Sequence, residues 1–276
     1  MRRVLVYGNS HVAAWQAAWE GWTEGRPALE MAFFSLPERI FQRYRFRASG
    51  RFAARRSVTA EELDRVRAIN AGQVECHPAD ADVAVCVGLS WAPERAMGFA
   101  ALGDAPGMGP AVRDGARALF SAGFVEAAFA EACAETCAAW PLPPRMAGRT
   151  VVFGRPIYAE TCLRSTHPLY APWRDAAACP EAARAFLMRY ADRLAVRARE
   201  AGVAFIAPPP DVAGAGALTR AGYLAAGGGG VNPDAPGARG DHSHMNAAYG
   251  RACIRHLLAH LAGAEVGDES ATATAR

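Results

Sequence analysis

Short apolar runs of strand length alternate with helical segments along this chain, and that alternation constrains its fold more than any other feature. Residues 2–7, 29–36, 82–87, 150–153 and 202–206 read as strands, the fourth continuing towards Ile157 and Tyr158. Residues 12–22, 59–70, 111–140, 181–201 and 245–261 read as helices from apolar spacing, and Thr59 with Glu62 supplies a capping box for the second. The run Asp82-Val83-Ala84-Val85-Cys86-Val87 is continuously apolar, as a strand covered on both faces must be. Strands separated by helices predict an α/β protein with a parallel, about five-stranded central sheet. No period of about 20–50 residues points to a repeat architecture.

The 276 residues suffice for one large core. A single domain over residues 1–264 is expected, with insertions near 38–58, 159–180 and 207–240 and a disordered tail over 265–276. Residues 98–110, rich in Gly and Pro, read as loop. The long stretch from 211 to 240, with four consecutive glycines at 227–230, reads as either mobile or functional. No apolar run approaches the ~18 residues of a membrane span. The two early arginines precede a strand without a small-residue cleavage site, not a secretory signal. All 30 basic residues are Arg, yet the net charge is only +3, so no nucleic-acid surface is indicated. Seven scattered cysteines, none in a Cys-x-x-Cys pair, read as reduced thiols of a cytoplasmic protein.

The first strand stops at Gly8-Asn9-Ser10-His11 and hands over to a helix. Such a junction exposes one side chain at the carboxyl edge of the sheet, where open α/β sheets bind ligands. Here that side chain is Ser10. Its own N–H would emerge at the amino end of the new helix, where negative charge is favoured. Ser10 therefore reads either as a nucleophile or as a helix N-cap. A serine needs a base, and Asp241 and His244 lie three residues apart just before the last helix. That spacing lets the carboxylate reach Nδ1 of the imidazole while Nε2 faces outward.

Other polar features compete for attention. Residues 38–56 carry Arg39, Arg43, Arg45, Arg47, Arg51, Arg55 and Arg56 interleaved with Phe41, Tyr44, Phe46 and Phe52. This is either a surface loop whose aromatics dock on the body, or a pocket wall holding an anionic or sugar substrate through Arg forks such as Arg47 and Arg51. Gly50 is the position there where backbone could approach a ligand closely. Gly88-Leu89-Ser90-Trp91 closes the third strand at the same edge as Ser10. His242 and His244 are two candidate metal ligands without a third at a suitable spacing, so no metal is expected, and no motif asks for a cofactor.

Gly8-Asn9-Ser10-His11 after a first strand, with Asp241-x-x-His244 before a last helix, resembles the SGNH (GDSL-type) hydrolases. The resemblance implies a flavodoxin-like three-layer α/β/α sandwich. It implies Ser10 as nucleophile, His244 as general base and Asp241 as its orienter. It further implies an oxyanion hole built from the Ser10 N–H, a glycine N–H, for which Gly50 is the candidate, and a donor after Gly88. That last place normally holds asparagine and here holds Ser90, while Asn9 stands where the family usually has Asp. Asn9, His11 and Trp91 would then line the substrate site. The implied activity is hydrolysis of a small-molecule or saccharide ester through an acyl-serine. The alternatives are an O-acyltransferase using the same triad and a non-catalytic carbohydrate or anion binder.

Overall fold

A computed structural model describes residues 1–23, 25–107, 118–142, 149–214, 216–226 and 240–273, apart from the side chains of residues 149 and 264–273. The four-glycine run and part of the expected 98–110 loop lie outside the described residues. The elements in order are β1 (Arg2–Gly8), α1 (Val12–Glu20), β2 (Leu29–Ser35), α2 (Glu38–Phe41), β3 (Tyr44–Phe46), β4 (Phe52–Ala54), α3 (Ala60–Ile69), β5 (Val83–Leu89), α4 (Pro93–Leu102), α5 (Ala122–Ala139), β6 (Arg149–Gly154), α6 (Ala171–Ala177), α7 (Pro180–Glu200), β7 (Ala204–Ile206) and α8 (Ala247–Ala273).

Five strands form one parallel sheet in the order β2-β1-β5-β6-β7. Side chains alternate between its faces. Val4, Val6, Val85, Val151 and Phe153 point to the side covered by α1 and α8. Leu5, Tyr7, Cys86, Val152 and Phe205 point to the side covered by α3 through α7. Both faces of the central strands are therefore buried, which is why β1, β5 and β6 read as continuous apolar runs, while β2 at the edge is half-exposed. The capping box expected at Thr59 and Glu62 opens α3. All seven thiols are free and six are buried. No helix among the described residues is long and apolar enough to cross a membrane.

The chain departs from its sequence reading in several places. Of the helix read over 111–140, residues 111–117 lie outside the described residues and α5 begins only at Ala122, because Leu119 bridges to Asp104 and Phe120 donates its N–H to the Asp104 carbonyl. The fourth strand ends at Gly154, short of Ile157 and Tyr158. Residues 38–58 hold a short helix and the β3–β4 hairpin, whose three-residue strands are too short for a pattern to register. Helix α4 runs through Gly98 to Leu102 into the segment read as loop, because Ala96, Met97 and Ala100 bury enough apolar surface to override one glycine. Helix α8 continues beyond Leu261, where its apolar spacing ends, into residues expected as a disordered tail.

The pairing of α1 with α8 matters most for the site. Gly250 on α8 crosses α1 so closely that a β-carbon there would collide with the Ala14 carbonyl. Helix α1 begins just after Ser10 and α8 just after His244, so this contact holds the two ends of the chain together.

Candidate active site

Ser10 and His244 meet at the carboxyl edge of the sheet. The Ser10 Oγ lies 2.7 Å from His244 Nε2, and His244 Nδ1 lies 2.7 Å from Asp241 Oδ2. The second contact places the imidazole proton on Nδ1, which leaves Nε2 to accept the Ser10 hydroxyl. Ser10 is thus not a helix cap: α1 has no side-chain cap, and the Ser10 hydroxyl engages the imidazole instead.

Each member is held from behind. Asp241 Oδ1 accepts the N–H groups of Ser243 and His244 at 3.2 and 3.1 Å. Asn246 caps α8 by accepting the Tyr249 N–H, and its Nδ2 donates to the Gly222 carbonyl at 2.8 Å. Neighbouring His242 is buried, with Nδ1 2.9 Å from Thr161 Oγ1 and its carbonyl accepting the Ala159 N–H. The loop bearing the base is therefore pinned on both sides of His244.

Asn9, expected to line the substrate site, is instead the corresponding strut beneath Ser10, its amide spent on protein partners. It is 2% exposed. Its Nδ2 donates to the Gly88 carbonyl at 2.9 Å and to the Glu38 carboxylate, and its Oδ1 accepts the His11 N–H at 3.2 Å. Gly88 must be glycine for two reasons: its φ is +86°, and a β-carbon would overlap the Asn9 amide.

The electrostatics suit a proton relay. Burial alone would raise the Asp241 carboxyl, but hydrogen bonds from the His244 ring and from the backbone of His244 and Ser243 hold it well below the usual carboxylate range. The hydrogen bond to Asp241 raises the His244 pKa, burial opposes it, and the charges of Asp241 and Glu38 add to the rise. His11 stacks on His244 with centroids 5.2 Å apart and planes 21° apart. Burial, the His244 ring and Arg155 lower its pKa to about 3, against a small opposing pull from Asp241.

The remaining expected site residues divide. The Ser10 N–H donates to no described residue and is available to a developing oxyanion. Ser90 is exposed at the same edge, with its Oγ accepting the Ala92 N–H at 3.3 Å and its hydroxyl proton free to turn. Gly88 serves as the seat for Asn9. Gly50 is not brought to the site: it occupies the β3–β4 turn beside His77, and its N–H is bonded to the Arg47 carbonyl at 2.9 Å. Arg47 donates to the Ala54 carbonyl, and Arg51 pairs with Glu75 at 2.6 Å. Phe41, Tyr44 and Phe52 of the same segment are buried, packed among Phe34, Phe46 and Tyr7, so its aromatics dock on the body. Trp91 is fully buried against Tyr190 and Phe205, and its Nε1–H donates to the Arg155 carbonyl at 3.0 Å, which makes it core rather than lining.

Two residues escaped the sequence reading. Glu38 follows β2 and reaches both Asn9 and the field of His244. Arg155 follows β6, donates its N–H to the Leu89 carbonyl, and pairs with Glu94 at 3.4 Å. Both stand at carboxyl ends of strands, the same positional rule that singles out Ser10. Among the described residues, no group of three His, Cys, Asp or Glu could hold a metal ion.

Comparison with models of known protein families, with curated proteins and with solved structures finds no match.

Proposed function

We propose that this chain is a serine ester hydrolase of the SGNH type. One observation carries the reading: Ser10 Oγ, His244 and Asp241 form a continuous hydrogen-bonded relay with both links at 2.7 Å. The sheet order β2-β1-β5-β6-β7 supports it, since that is the flavodoxin-like winding, with its ligand crevice beside the first strand. Ser10 attacks the ester carbonyl as His244 Nε2 takes its proton, and Asp241 stabilises the imidazolium. His244 then returns that proton to the departing alcohol. Water, deprotonated by the same imidazole, attacks the acyl-serine; the acyl–Oγ bond breaks, His244 returns the proton to Ser10 Oγ, and the acid departs. The Ser10 N–H and the Ser90 hydroxyl are the donors offered to the oxyanion.

The test is turnover of p-nitrophenyl acetate and longer acyl homologues by the purified chain, alongside Ser10→Ala and His244→Ala. Hydrolysis by the parent and its loss in both variants is the expected result; equal turnover in all three contradicts the reading.

A second reading, a carbohydrate or anion binder on the same fold, draws on the donors around Ser10. The Asn9 amide is fully engaged, Ser90 is short, and the Glu38 carboxylate opposes a developing oxyanion nearby; the same carboxylate favours a neutral carbohydrate over an anion as the ligand. It expects ligand binding that Ser10→Ala leaves intact and no ester turnover at all. Acyl transfer to an alcohol draws on the same triad, but Arg47 and Arg51, the arginines expected to hold its substrate, are bound elsewhere.

A further inference from the structure

We propose that His11 is a positioning residue of the triad: a neutral imidazole whose ring face steadies the imidazolium that His244 becomes when it takes the Ser10 proton. The proposal deepens the preceding one, because it rests on His244 being the base. Its foundation is geometric. The two rings stack at 5.2 Å with planes 21° apart, inside the ~6 Å at which a cation is attracted to an aromatic face.

A stacked histidine helps only while it is uncharged; two imidazolium rings at this separation would repel. Several features keep His11 neutral. Its Nδ1 is buried and has no partner among the described residues, so the doubly protonated ring would carry an unmet N–H. Arg155 adds positive charge from the end of β6. Among the described residues, the charged and titratable groups facing His244 are Asp241, Glu38 and His11, and those facing His11 are His244, Asp241 and Arg155. Within that set the proton has one favoured seat. Asp241 and, more weakly, Glu38 draw it to His244, while burial, the His244 ring and Arg155 deny it to His11. The pair therefore binds one proton across the working range rather than two.

The backbone fixes the arrangement. The His11 N–H is tied to Asn9 Oδ1 at 3.2 Å, and the residue opens α1 immediately after the nucleophile. The ring thus backs the base from the helix that also delivers Ser10.

Imidazole NMR titration of the full chain from pH 4 to 9 tests this without any substrate. In the parent protein, His244 is expected to titrate and His11 to stay neutral down to pH 4; titration of His11 between pH 5 and 8 overturns the proposal. In His11→Leu, which keeps bulk but removes the ring face, the His244 midpoint is expected to fall by about 0.5–1 unit, a roughly three- to tenfold loss of proton affinity. His11→Phe, which keeps a ring, is expected to hold the midpoint within about 0.2 unit of the parent, less than the lower bound of that cation–ring attraction. Equal shifts in Leu and Phe, or none in either, also overturn it. Should His11→Leu fail to fold, the parent titration and the Phe variant decide. Should the chain hydrolyse no ester, the titrations still judge the pair, so failure of this inference is distinguishable from failure of the esterase reading.

Discussion

The rim around Ser10 and the arginine-rich segment at residues 38–56 begin as rivals, each crowded with residue types that bind and react. The difference between them lies in who competes for each side chain. At the rim, Ser10 and His244 bond to one another across a sequence separation of 234 residues. In the arginine-rich segment four of the seven cations have nearer partners: Arg43 takes Glu62 and the Ser57 carbonyl, Arg45 the carbonyls of Gln42 and Tyr44, Arg47 that of Ala54, and Arg51 Glu75. Residue type nominates a site; the absence of a competing local partner is what leaves the group available to a ligand.

The contrast breaks most visibly under truncation. Ser10→Ala or His244→Ala is expected to lower kcat for ester hydrolysis by about 10⁴-fold or more, as loss of a triad member does elsewhere. Steady-state kinetics on active-site-verified protein checks this. A fall of only a few-fold would place the rim in the same class as the arginine-rich segment.

A smaller effect is expected from the scaffold that joins the chain ends. Gly250→Val forces α8 away from the Ala14 carbonyl of α1 and is expected to cost about 2–3 kcal/mol of stability, with activity falling as Ser10 and His244 separate. Denaturant melts and turnover, measured together, show whether the helix crossing sets the relay.

Acid sharpens the comparison further. The folded pKa of His11 is about 3, below its unfolded value of 6.5, so the unfolded chain takes up this proton first. Stability is therefore lost as pH falls from about 6.5 towards 3, by about 2 kcal/mol at pH 5 from this group alone. His11→Phe removes that slope in thermal melts, whereas substitutions in the arginine-rich segment leave it. Asp241, also depressed, adds a loss that begins only below about pH 4, its ordinary value. His244 works in the opposite sense. Its pKa is raised, so activity is expected to climb with pH through a midpoint above 6.5 as the neutral base forms.

The central strands β1, β5 and β6 were legible because burial on both faces leaves an unbroken apolar run that little else produces, whereas β2, at the sheet edge and half-exposed, shows only an apolar stretch of strand length. Ser10, Asp241 and His244 were legible because each sits where an element begins or ends, and their spacing fits a relay. Gly50, Arg47, Arg51 and Trp91 were misjudged for a common reason. Their fate is set by tertiary partners — a hairpin turn, a carbonyl, Glu75, the Tyr190 and Phe205 rings — that no local pattern announces. Glu38 and Arg155 were overlooked because they lie just outside the apolar runs that drew notice to the strand ends.

The smallest effect belongs to that misjudged group. Arg47→Ala and Arg51→Ala are expected to change ester turnover less than about twofold and stability by less than about 1 kcal/mol, as exposed pairs do. A larger change in KM with kcat intact would return these arginines to the substrate site.

The central claim is that Ser10 is an activated nucleophile, and a fluorophosphonate probe tests it most directly. Intact mass and peptide mapping are expected to show one covalent adduct, on Ser10, formed faster as pH rises through the His244 midpoint and abolished by His244→Ala. A chain that remains unlabelled, or carries the adduct at another serine, would contradict the account.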